Sequence, residues 1–220
     1  MSYVFQFGEV FKYWDTLLEG ALVTLALTLG TTLLGVGIGI LGAAGRTSAR
    51  AVWRRSALAY VEFIRNTPFI IQLFFVYFGL PSLGVKLSAE AAAVIALSLS
   101  LGAYATEIIR AGIQAVPLGQ REAGKALGLS GAQVFFLIVL RPAIAKVYPS
   151  LTSQIVLVML GSAAVSQIAA EDLTFAAQSI QALNFRSFEV YLVTALAYLG
   201  LAVGVRYLCR TIGRRLFPAF

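Results

Sequence analysis

Gln120-Arg121-Glu122-Ala123-Gly124-Lys125-Ala126-Leu127-Gly128-Leu129-Ser130 is the stretch on which the reading of this chain turns, because it sets three charged residues inside an otherwise oily sequence. Pro117 restricts the approach to a first short helix, Gly128 ends it, and Ser130 with Gln133 predicts a capping box that opens a second. A polar helix-Gly-helix unit between two apolar segments has the form of a docking knob. The expectation is that a soluble partner grips it and moves the helices to which it is attached.

Its surroundings define the class. The 220 residues are 59% hydrophobic and 12% charged, and the mean hydropathy is +0.85, which is too apolar for a soluble domain of ordinary composition. Several stretches reach the roughly 20 apolar residues needed to cross about 30 Å of hydrocarbon, where the backbone must be helical. The sequence therefore predicts an all-α integral membrane protein with a single transmembrane domain over 1–220.

Working outward from the knob, the third span is expected at 89–113 and the fourth at 147–168, so that 114–142 forms the loop between them. Within that loop, Arg141-Pro142 is expected to end or kink a helix through Phe135 and Leu140. The first span is read at 17–44, where Gly30, Gly35, Gly37, Gly39 and Gly42 permit close helix contact. The second is read at 57–80, and the last at 188–208. The segment 169–187, with Glu171, Asp172 and Arg186, is expected to be an external loop. Residues 1–15 lack the pattern of a secretory signal.

Charge orients these five spans. Arg46, Arg50, Arg54 and Arg55 share one short loop, and Arg210, Arg214 and Arg215 follow the last span. The positive-inside rule places both groups, and the knob, in the cytoplasm. The N-terminus is then outside and the C-terminus cytoplasmic. Glu9, Asp15, Glu19, Glu90, Glu171, Asp172 and Glu189 all fall on the outer side. The net charge of +7 is thereby topological rather than a nucleic-acid-binding face. One cysteine, Cys209, excludes an internal disulfide and reads as a packing residue, and the absence of histidine excludes histidine-based acid-base or metal chemistry. No catalytic residue and no metal site is expected.

Within the spans, Glu62 with Arg65 and Glu107 with Arg110 have the three-residue spacing that allows pairing along one helix face. Structural pairing is the plain reading, and intramembrane charge also raises substrate contact or gating. Ser100, Tyr104, Ser153, Gln154, Ser162 and Ser166 are candidates to line a polar passage. Helix-helix hydrogen bonding is the alternative for each of them. The aromatic run from Phe74 to Phe78 reads as packing or interfacial anchoring.

The opening stretch, with Gly128 followed by Ile138, Leu140 and a nearby proline, resembles the EAA signature of permease subunits in ATP-binding-cassette importers. Three further motifs agree in order. Tyr60-Val-Glu62-Phe-Ile-Arg65-Asn66-Thr67-Pro68, Gln72-Leu-Phe-Phe-Val-Tyr77-Phe-Gly79-Leu-Pro81 and Ala103-Tyr104-Ala-Thr-Glu107-Ile-Ile-Arg110-Ala-Gly112-Ile113 are similar to the polar-amino-acid (histidine, glutamine, glutamate, arginine) branch. The resemblance covers nearly the whole chain and implies a type I importer fold with a cytoplasmic coupling helix. It implies that Arg121, Glu122, Ala123, Gly124, Ala126, Leu127 and Gly128 meet the ATPase subunit. For Glu122 the plain alternative is solvation of an exposed helix face.

The same resemblance implies a second permease subunit, identical or paralogous, an external amino-acid-binding protein, and residence in the bacterial cytoplasmic (inner) membrane. ATP and magnesium would be held by the ATPase, since this chain has no Gly-x-x-x-x-Gly-Lys-Ser/Thr loop. Three departures stand out. Gly124 replaces a usual alanine, Pro142 comes one place late after Arg141, and Leu160-Gly161-Ser162-Ala163 lacks a usual Lys-Asp pair. The rival readings are a stand-alone secondary transporter or channel and, third, a membrane enzyme, for which the chain offers no clustered nucleophile and base.

Overall fold

Backbone amides in hydrocarbon have no water to bond, so each crossing must satisfy them within the segment, and the chain does so with helices alone. The computed structural model describes residues 4–217, and every regular element among them is helical. The first three and last three residues of the expected single domain lie outside that range. In chain order the elements are α1 (Gly8–Phe11), α2 (Trp14–Arg46), α3 (Ala51–Arg65), α4 (Phe69–Ser82) and α5 (Ala89–Gln114). They continue as α6 (Leu118–Ala126), α7 (Gly131–Ile168), α8 (Leu173–Asn184) and α9 (Ser187–Leu216).

Four of these, α2, α5, α7 and α9, are long and apolar enough to cross a membrane, and α3 with α4 forms a bent pair. The expected count of five is met only if that pair is one broken crossing. The pair is bent by 108° and covers 51–82, a sharp break within the span expected at 57–80. The cause is local. Pro68 is extended, with φ −62° and ψ 134°, and offers no N–H to continue the ladder. The carbonyls left at the end of α3 are taken by side chains: Asn66 Nδ2 donates to Glu62 O at 2.8 Å, and Gln72 Nε2 donates to Ile64 O at 2.8 Å.

The spine of the bundle is the parallel pair α2 and α5, whose contacts advance together from Gly30 and Val94 to Arg46 and Glu107. Gly35, Gly39 and Gly42 bring α2 against Leu101, Ala105 and Thr106 so closely that a Cβ on Gly39 would stand 2.5 Å from that of Ala105. Lipid tails are as apolar as leucine, so two helices gain little from hydrophobicity alone, and this intimate van der Waals contact holds them. Of the other glycines expected to pack, Gly30 has only an ordinary contact with Val94, and Gly37 faces open space.

The fourth span begins much earlier than 147. α7 is one rod of 38 residues, and Arg141-Pro142 neither ends it nor separates it from the Phe135–Leu140 run. The reason lies just upstream, where Val134–Val139 is π-helical. The widened turn gives the proline ring room at the carbonyls four and five residues back, where a regular α-helix would clash. The same device recurs in α4, where π-helical Phe75–Gly79 leads into Pro81.

The expected external loop 169–187 is mostly helix α8. Asp172 caps it, accepting the Phe175 N–H at 2.9 Å, and Leu173, Ala176, Ala177 and Ile180 bury one face. Its start is fastened on both sides: the Leu173 N–H donates to Thr24 Oγ1 of α2 at 3.1 Å, and the Tyr198 hydroxyl of α9 donates to Asp172 Oδ2 at 2.9 Å. Glu189, also fully buried, accepts the Gln6 N–H at 3.1 Å and so ties the N-terminal segment to α9.

Candidate functional site

The knob forms as its sequence chemistry dictates. α6 runs from Leu118 after an extended Pro117, and the chain leaves it through Gly128 at φ +79°, a conformation that costs glycine little. The Leu129 N–H donates back to Gly124 O at 3.1 Å, closing the C-terminus. Two residues on, the expected capping box is complete: Ser130 N–H donates to Gln133 Oε1 at 2.8 Å, and Gln133 N–H to Ser130 Oγ at 3.4 Å. Both ends of the turn are thus satisfied internally.

The departure from alanine at 124 has a packing role. Gly124 is the buried residue of α6, and a Cβ there would stand 3.1 Å from Val134 Cγ2 on α7. α6 is pressed onto the π-helical start of α7, over a small core of Val116, Val134, Val139 and Ala143. Arg121 is half-buried and turned inward, donating to Ile113 O at the C-terminal end of α5. That is where helix carbonyls lack partners and the helix dipole is negative. Arg121 therefore ties α6 to α5, and the exposed residues of the knob include Glu122, Ala123, Ala126 and Leu127. Leu127 is 81% exposed and Leu118 is 66% exposed, an unusual cost for two leucines unless something covers them. Beside them, a cavity of about 330 Å³ has Val134 and Phe135 as its floor and Glu122 and Lys125 at its rim.

A near-coincidence of motif is resolved here too. Gly119-Gln-Arg-Glu-Ala-Gly124-Lys125-Ala126 follows the phosphate-loop spacing up to its last position, where Ala126 stands in place of the hydroxyl. The segment lies in α6, so its amides point along a helix and do not wrap an anion.

The span residues singled out from the sequence fall into separate groups. Glu107 pairs with Arg110 at 2.7 Å and also with Arg46 of α2 at 3.0 Å. One mostly buried carboxylate thus fastens the basic end of α2 to α5, and Arg110 Nη1 continues to Gln114 Oε1 at 2.7 Å. Glu62 and Arg65 do not pair. Glu62 accepts from Asn66 Nδ2 at 2.9 Å, and the Arg65 guanidinium lies over the Tyr104 ring, 5.3 Å from its centroid. The first contact is local to the end of α3, and the second sets that end against α5.

Ser162 and Ser166 are buried and spend their hydroxyls on their own helix, at Met159 O and Ala163 O. Ser166 also accepts from Gln178 of α8 at 3.4 Å. The Ser153 hydroxyl donates to Pro149 O at 3.1 Å and faces a cleft toward α9. Ser100 and Gln154 are half-buried. Sequence reasoning missed Arg46 and Asp172 as network members. The signal for Asp172 was present, as an N-cap residue ahead of apolar positions 173, 176, 177 and 180, whereas the Arg46–Glu107 pair spans 61 residues and has no local signature.

A multi-span helical bundle with a short amphipathic helix packed at one end, its outer face open, has the form of a membrane subunit that works with a partner. The comparisons define it further. Residues 35–218 match the family model of the binding-protein-dependent transport system inner membrane component, and the chain belongs to that family. It is an inner-membrane, multi-pass protein. It is 34% identical over 215 residues to a probable amino-acid ABC transporter permease protein of Sinorhizobium fredii, covering 93% of this chain and 90% of that one. It is 31% identical to the glutamine transport system permease protein of Escherichia coli, covering 96% and 98%.

Among solved structures, the fold superposes with a TM-score of 0.90 and 35% identity on an amino acid ABC transporter crystallised with histidines, covering 97% of this chain and 100% of that one. An inward-facing MetNI methionine ABC transporter matches with a TM-score of 0.69 at 18% identity, covering 94% and 95%, and shares the fold.

Proposed function

We propose that the chain is the permease subunit of an ATP-driven amino-acid importer, and that α6 is the element through which a separate ATPase moves it. The observation that carries this reading is the placement of α6. Its outer face presents Glu122, Ala123, Ala126 and Leu127, while Arg121 and Gly124 bind it to α5 and α7. A push on that face is delivered to two membrane-crossing helices at once. The basic loop after α2 and the arginines ending α9 support a cytoplasmic position for α6 and the C-terminus, with the N-terminus outside.

In this reading ATP and magnesium reside on the ATPase, an external binding protein delivers the amino acid, and a second permease subunit, identical or paralogous, completes the pathway. Glu62, Arg65, Ser100, Tyr104, Glu107, Ser153, Gln154, Ser162 and Ser166 remain candidates for pathway or gating roles, and two of them, Arg65 and Tyr104, meet each other. The uncharged Leu160–Ala163 segment agrees with cargo recognition resting elsewhere.

The test is Glu122→Lys in the complete transporter. Normal membrane insertion, with loss of ATPase co-purification or of coupled transport, is the expected result. Unchanged coupled transport would overturn the coupling role, and transport by the purified chain without any ATPase would overturn the function.

A further inference from the structure

A cleft of about 490 Å³ lies between α7 and α9, far along α9 from its buried Glu189 end. Tyr148, Thr152 and Ser153 form part of one wall, and Arg206, Arg210 and Arg214 form the other. Spacing of four residues stacks the three guanidiniums on one stripe of α9. Among the described residues none of the three has a carboxylate partner, and no acidic side chain lines the cleft. Like charges four apart on a helix repel, so this stripe is costly unless an anion sits between them. A zwitterionic amino acid fits poorly, because its ammonium would find no carboxylate there.

Depth selects the kind of anion. α9 starts at Ser187 and holds 30 residues, which at 1.5 Å each is about 45 Å, some 15 Å more than the hydrocarbon core. Arg206 is its twentieth residue (206 − 187 + 1). With the hydrocarbon core taken to begin at Ser187, Arg206 stands at its far edge, and Arg210 and Arg214 stand at the level of lipid headgroups. On the adjoining faces of the same helix, Val203, Tyr207 and Leu208 are exposed and apolar. The combination is a basic pocket at headgroup depth beside an acyl-compatible surface.

We propose that this cleft binds the phosphodiester headgroup of an anionic phospholipid, with the acyl chains lying along Val203, Tyr207 and Leu208. Arginine suits the role because its fork meets two phosphate oxygens at once and keeps its charge at any physiological pH. A soluble phosphate ester shares the headgroup chemistry but would leave the apolar surface uncovered.

The experiment titrates the full chain, purified in detergent, with phosphatidylglycerol, phosphatidylcholine or soluble glycerophosphate and reads bound ligand by native mass spectrometry. Expected is retention of phosphatidylglycerol over phosphatidylcholine, weakened roughly 100-fold in Arg206→Gln/Arg210→Gln/Arg214→Gln and roughly fivefold in Arg210→Gln alone. The single variant keeps the test decisive if the triple variant fails to fold. Equal retention of the two lipids, or the same phosphatidylglycerol affinity in native and Arg210→Gln chains, would overturn the proposal. So would displacement of the lipid by an equal concentration of glycerophosphate, which would assign the cleft to a soluble anion.

Discussion

The α2–α5 seam and the α6 face use the same small residues to opposite ends. In the seam, Gly35, Gly39 and Gly42 are spent on a partner helix within the chain, and Glu107 between Arg46 and Arg110 fastens one end. On α6, Gly124 and Arg121 are spent inward, while Ala123, Ala126 and Leu127 remain open. One region is finished by folding and the other is not. Substitutions in the seam should therefore appear as lost stability, and substitutions on the α6 face as lost partnership in a protein that folds normally.

The most severe test of that contrast is Gly39→Leu. With no room for even a Cβ against Ala105, it should force α2 from α5 and cost about 3 kcal/mol or more, seen as loss of the folded chain from detergent-extracted membranes. Next is Glu107→Ala, which strands Arg46 and Arg110. Its side chain is 18% exposed, so the cost is set below that of a fully buried pair, at about 2 kcal/mol, and should lower the thermal unfolding midpoint.

Asp172 offers a finer version. Asp172→Ala removes the cap of α8 and should cost about 1 kcal/mol, whereas Asp172→Asn keeps an acceptor for the Phe175 N–H and should cost less. Burial pushes the Asp172 carboxyl above its ordinary range, against the downward pull of the Phe175 N–H, the Tyr198 hydroxyl and the Thr174 N–H. The folded state therefore holds this proton more tightly than the unfolded chain, and the group's penalty is present at neutral pH and relieved as pH falls below the folded value. Unfolding curves at successive pH values should show the native protein gaining on Asp172→Asn toward acid. A gain toward alkali would contradict the burial argument.

The smallest expected change in stability is from Leu127→Ala, within about 0.5 kcal/mol, because the side chain touches little. It should nonetheless weaken association with the ATPase. A variant that unfolds as easily as Glu107→Ala would place α6 with the seam and dissolve the distinction.

What was legible in the sequence was what is local. The long crossings followed from runs of apolar residues, and the Ser130–Gln133 cap and the exit at Gly128 followed from chemistry acting over three or four positions. Pro68 was visible, but the apolar run that follows it read as a continuation of the span and hid its 108° consequence. α8 was hidden by its alanines, whose weak hydropathy masked a regular 173, 176, 177, 180 face. Spacing permitted Glu62 to meet Arg65 as readily as Glu107 meets Arg110. The contact that decides otherwise, Arg65 over the Tyr104 ring, lies about forty positions away in sequence and has no local signature.

The π-helical start of α7 also explains a rhythm that no regular helix would keep. Val134, Val139, Ala143 and Val147 are all buried, a progression of five, four and four. The five-residue step is equivalent to one residue added to an α-helix and taken up as a wider turn. It preserves the phase of a single packing stripe from the α6 contact into the span. Pro142 holds this wider turn open, since closing it would drive the proline ring into the carbonyl four residues behind it. A one-residue deletion within 135–138 would thus conserve hydropathy and length within the ordinary tolerance of a span, yet restore a steric conflict that the present chain has escaped.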